Sequence, residues 1–118
     1  MKAQSMIDWA RRLFAAWILI ISAVTAFQFV GVPSAYGAPG WLLVSIAGIE
    51  TIAAAGFIWR ASGLAMAGLV SAYSAAAVIH VVVGKPPYML LAYAFLTISL
   101  YLGAKPRHLP AADEQNGE

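Results

Sequence analysis

From residue 13 to residue 104 only Glu50, Arg60 and Lys85 carry a formal charge, and the apolar residues around them fall into four long runs. The runs cover residues 13–32, 41–59, 63–83 and 88–104. Each is about 17 to 21 residues, close to the length that crosses ~30 Å of hydrocarbon as a helix. Lipid offers no partner for an unpaired backbone group, so helices are the expected solution. Barrel strands would alternate polar and apolar residues, and these runs do not. The chain is 62% hydrophobic and 10% charged, against about 25% charge in ordinary soluble domains. The pattern predicts an all-α fold: an integral membrane four-helix bundle with antiparallel up-down topology. Residues 1–104 form its single domain, and residues 105–118 are expected to be a disordered polar tail.

The start of the chain, "MKAQSMIDWARRLFAAWILIISAVTAF", also has the form of a secretory signal peptide. Three further apolar runs follow it, which favours a first membrane helix. Residues 5–12 read either as a short interfacial helix or as an extension of the first span. "PSAYGAP", "RAS" and "GKPP" are short connections, so sequential helices should be antiparallel neighbours.

With four crossings, Lys2, Arg11, Arg12, Arg60, Lys105 and Arg107 fall on one side and Lys85 alone on the other. The positive-inside rule then puts both termini in the cytoplasm. Trp9, Trp59 and Tyr101 would sit at the inner interface, and Tyr36, Trp41 and Tyr88 at the outer one. Gly63/Ala67, Gly68/Ala72 and Ala72/Ala76 have the spacing that lets helix backbones approach closely. Packing inside the bundle is the first expectation, and a homodimer contact the alternative.

Glu50 stands in the middle of "IAGIETIAAAG", ~13 Å from either end of its run. A carboxyl at that depth costs a few kcal/mol to insert and is expected to face the bundle interior or a wet cavity. The structural alternative is a carboxyl that only joins two helices by a hydrogen bond. Ser22 on helix one and Tyr73 or Ser74 on helix three lie at about the same depth. Ser22, Thr25 and Gln28 draw a polar stripe up the first helix. Tyr73 and His80 are seven apart and share a face. The ligand-binding or proton-exchange candidates are therefore Glu50, His80, Tyr73, Gln28 and Ser22, in a polar route opening toward Lys85.

Other chemistry is not encoded. With no Cys there is no thiol nucleophile, disulfide or Cys-ligated metal within the chain. One Glu and one His do not make a metal site, and no nucleophilic triad or phosphate loop occurs. The net charge of +2 is too small and scattered for nucleic-acid binding.

The stretch "YGAPGWLLVSIAGIETIAAAGFIWRASGLAMAGLVSAYSAAAVIH" resembles the DoxX-like family of small membrane proteins. The likeness rests on Glu50 followed by Ala53 and Ala54, on Arg60 before the third helix and on His80 late in it. Arg12 at the start of the first helix also fits, and joins the candidate residues on that ground. The likeness covers about residues 12 to 104. Gln28 stands where many members carry a Lys, and alanines follow Glu50 where glycines are frequent. The resemblance implies a four-helix bundle in the bacterial inner membrane. It also implies an accessory subunit of a redox or stress-related system, binding a quinone-like or lipid-like molecule near Glu50. Some relatives belong to quinone-linked oxidoreductases such as thiosulfate:quinone oxidoreductase. No catalytic residue and no intrinsic cofactor is expected, so electron transfer would need a bound quinone or a redox partner protein. A small proton-coupled transporter and a membrane-protein assembly helper are the alternatives. The six-to-one charge bias counts against a dual-topology transporter.

Overall fold

The structure, a computed structural model, describes residues 3–104. The tail from Lys105, and the cations Lys2, Lys105 and Arg107 of the orientation count, lie outside the described residues. The fold is helical: α1 (Ala3–Phe29), α2 (Gly40–Trp59), α3 (Gly63–Val82) and α4 (Tyr88–Ala104). α1 and α3 each pack against both α2 and α4, so the helices close a ring in chain order. α1, α2 and α3 are long and apolar enough to cross a membrane. α4 has 17 residues and is the shortest.

α1 takes in residues 5–12 as a continuous extension of the first run, rather than as a separate interfacial helix. It stops at Phe29, three residues before the expected end. Gly31, at φ 79°, turns the chain left-handed there, and the Val32 N–H closes back on Phe29 O at 3.1 Å. The expected plain loop between the first two helices is a small hairpin. β1 (Ser34–Ala35) pairs antiparallel with β2 (Ala38–Pro39) around Tyr36 and Gly37, both at positive φ. Two positive φ values in a two-residue turn match the right-handed twist of the paired strands.

α3 begins at Ser62, whose hydroxyl accepts from Ala65 N at 2.9 Å. It ends in a left-handed glycine cap. Gly84 has φ 81°, Gly84 N donates to Val81 O at 3.1 Å, and Lys85 N donates to His80 O at 2.8 Å. That cap folds Lys85 back beside His80. Pro86 and Pro87 cannot continue a helix, and the Pro87 carbonyl accepts from Leu91 N to start α4.

Residues turned inward on α1 are Arg11, Ala15, Ile18 and Ser22, whereas Leu13, Trp17, Ile20, Val24 and Phe27 face outward. The exterior is the apolar side. Phe27 is 82% exposed, Trp59 82% and Leu64 86%, which inverts the usual pattern of a domain in water. Small residues bring α2 and α3 together: a Cβ on Gly68 would stand 3.0 Å from that of Ala53, and Ala54, Ala65 and Ala72 are buried. Of the small-residue pairs, Gly68/Ala72 packs inside the bundle, while Gly63 and Ala67 are exposed.

The core is uneven. Ala15, Ile18, Ala53, Ala54, Phe57, Ala65, Leu69 and Tyr73 form one buried cluster in the half of the bundle nearer the chain termini. The half nearer the hairpin contains a cavity.

Candidate functional site

The cavity, of about 290 Å³, is lined by the ends of α1, α2 and α3, the hairpin and Lys85, and is partly open. Depth follows from position along each helix. Thr25, Glu50 and Ala76 line its end deep in the bundle, and Phe29, Tyr36, Val83 and Lys85 its hairpin end. Glu50 lies about 15 Å along α2 from the hairpin, ten residues at 1.5 Å each. It is half-buried, and among the described residues it has no hydrogen-bond or ion-pair partner. The lining around it is apolar: Leu43, Ile46, Ala47 and Ile79.

His80 is fixed by its own helix. Its Nδ1 lies 2.8 Å from Ala76 O, and a carbonyl can only accept, so Nδ1 carries the proton. In the neutral ring Nε2 then keeps a free lone pair. Gln28 contributes an amide with both donor and acceptor atoms. The roof is a stack. The Tyr36 ring meets Phe29 edge-on at 5.9 Å, and Lys85 Nζ lies 4.9 Å from its centroid. The hairpin and the α3 cap are thus tied together over the cavity.

The cavity gathers Glu50, His80 and Gln28 and separates them from the other candidates. Tyr73 is fully buried on the α4 side, its ring 5.9 Å from that of Tyr93. Its hydroxyl and that of Thr97 are both buried without a well-formed hydrogen bond. Ser22 joins α1 to α2, donating to Ile18 O at 2.7 Å and accepting from Thr51 at 3.0 Å. Arg12 is exposed at the opposite end, 3.1 Å from Asp8.

Its neighbour Arg11, which the sequence did not single out, is 2% exposed. Arg11 donates to Phe57 O, to Ile58 O at 3.3 Å and to Asp8 at 2.6 Å, with its guanidinium against the Phe57 ring. It thereby occupies two of the last α2 carbonyls, which have no partner inside the helix. Its spacing with Ala15, Ile18 and Ser22 was the available signal. Among the described residues no three His, Cys, Asp or Glu side chains come together as a metal site.

No family model, curated protein or solved structure matches this chain.

What the cavity can do follows from its size and lining. Ligand sites run from about 300 Å³ upward, so this one takes a single ring or a small head group rather than a whole lipid. A carboxyl at the deep end, an imidazole lone pair and an amide would orient a small polar head. The apolar walls would exclude water from it.

Proposed function

We propose that this is an integral protein of the bacterial inner membrane with both termini cytoplasmic. Its hairpin-end cavity binds the polar head of a quinone-like or lipid-like molecule, as an accessory subunit of a redox or stress-related membrane system. The observation that carries the binding part is Glu50: a half-buried carboxyl without a protein partner, at the deep end of a cavity of head-group size. A group that costs several kcal/mol to place there is held in readiness for something that is not protein. Membrane insertion is supported by the outward-facing apolar residues and by exposed Trp9 and Trp59 at one end, with Tyr36, Trp41 and Tyr88 at the other. The redox context rests on the likeness to DoxX-like proteins. Ile18, Ala54, Phe57 and Leu69, all fully buried, close the half below the cavity, which favours binding over transport.

Two measurements test this reading. Reporter fusions after Glu118 and within residues 84–87 are expected to report opposite sides, the first cytoplasmic. A periplasmic signal after Glu118 overturns the orientation. Native mass spectrometry from a mild detergent is expected to find a small molecule retained by the wild type. Glu50→Gln keeps the size and hydrogen bonding of the side chain but not its acidity. It should fold normally and bind at least about tenfold more weakly, one charged hydrogen bond's worth. Equal retention by Glu50→Gln would make Glu50 a structural residue.

A further inference from the structure

α4 does not reach the cavity. No α4 residue lines it among those described. The contacts between α1 and α4 show why. Gln4 donates to Gly103 O, a Cβ on Gly103 would lie 3.3 Å from Ile7, and Phe14 meets Tyr93 edge-on at 6.0 Å. From those anchors, at 1.5 Å per residue, α4 ends about level with residues 19–22 of α1, and α1 runs on for roughly 10 Å. On α3 the matching anchor is Tyr73 against Tyr93, so α4 ends about level with residue 78.

Helix faces repeat nearly every seven residues. Gln28 is two such steps beyond Phe14, and His80 is one step beyond Tyr73. Both therefore occupy the faces that α1 and α3 turn toward α4, at levels that α4 does not reach. Both line the cavity. The end facing the hairpin is roofed by the stack of Phe29, Tyr36 and Lys85.

We infer that the cavity is loaded sideways, through a portal between α1 and α3 above the start of α4, flanked by Gln28 and His80. This rests on the binding proposal above and narrows its ligand to a head that donates, which excludes an oxidised quinone, whose carbonyls only accept. The occupant is a membrane amphiphile whose small head donates a hydrogen bond. The chain lies in the bilayer beside the portal and the head enters. Two features set the chemistry of the head. His80 has its Nδ1 proton committed to Ala76 O, which leaves Nε2 as an acceptor. Glu50 at the deep end supplies carboxyl oxygens without a protein donor. A hydroxyl or phenol head can donate to one of these acceptors, and an ether or ester head of the same size can donate to neither. The volume of about 290 Å³ limits the head to about the size of a single ring.

The test uses the full chain in lipid nanodiscs with 4-dodecylphenol carrying a diazirine in its alkyl chain. After illumination, crosslinked peptides are mapped with unlabelled 4-dodecylphenol or its methyl ether as competitor. The expected result is saturable crosslinking confined to residues 25–32 and 76–90. The phenol should compete about tenfold better than the ether, the loss of one hydrogen bond. His80→Phe, checked for unchanged thermal stability, should reduce that preference, and His80→Phe with Glu50→Leu should abolish it. Saturable crosslinking that maps to residues 33–40 instead would place the entrance at the hairpin and overturn the portal, with the binding proposal intact. Equal competition by phenol and ether would overturn the ligand class. Uncompeted labelling spread over the outer helix faces would overturn both this inference and the binding proposal.

Discussion

Gly40→Ala is expected to lower the thermal stability of the detergent-solubilised protein by about 3 kcal/mol or more, at the upper end of overpacking effects. The chain crosses itself at this residue. Gly40 N donates to Pro33 O at 2.9 Å, and a Cβ on Gly40 would overlap the Val32 carbonyl oxygen. That oxygen belongs to backbone, so no rotamer relieves the overlap. The crossing closes the hairpin that carries Tyr36 over the cavity, and the substitution should weaken ligand retention as well. Gly48→Ala is the control. It lies in the same helix, a Cβ there meets nothing within 4 Å, and Ala gains up to about 1 kcal/mol over Gly in a helix. Equal melting of the two variants would refute the crossing.

Arg11→Ala should be nearly as damaging, and Arg12→Ala nearly silent. The Arg11 guanidinium is buried and holds the Phe57 and Ile58 carbonyls together with Asp8. Its loss strands buried acceptors at the end of α2 and opens a void, for about 2–3 kcal/mol. Arg12 is exposed, and its pair with Asp8 is worth less than about 1 kcal/mol. Arg11→Lys should recover only part of the loss, since an ammonium lacks the planar fork that reaches two carbonyls and a carboxylate at once. Comparable melting curves for the two alanine variants would show that the N-terminal end of α1 does not clamp α2.

The four helices were legible because a run of apolar residues fifteen or more long has few other uses, and the breaks fell at Pro, Gly and charge. Glu50 was legible because it is a charge where none is expected. The hairpin was not. It needs positive φ at Tyr36, a residue type that seldom adopts it, and only Gly37 hinted at a turn. Arg11 and Arg12 are adjacent, so composition treats them alike, and only the rotation of α1 against α2 buries one and exposes the other. Tyr73 shares a face with His80, as the spacing required, but α4 covers that face at the level of Tyr73 and leaves it open at the level of His80. Periodicity along one helix carries no information about where its neighbour ends, so the residues that share the cavity could be ranked by depth but not sorted.

The division of the bundle into a packed half and a hollow half has a mechanical consequence. The buried cluster around Phe57, Leu69 and Tyr73 holds the ring shut near the termini. Near the hairpin, beyond the backbone crossing at Gly40, the contacts over the cavity include a ring-on-ring edge, a cation above a tyrosine and a two-residue ladder. Each of these is worth a kcal/mol or so, far less than the shared burial beneath them. The molecule is therefore compliant at one end and stiff at the other, like a clothes-peg sprung from its base. If the cavity binds as proposed, spreading the tips of α1 and α3 need not draw on the energy that keeps the four helices together, since local opening costs only a fraction of global unfolding.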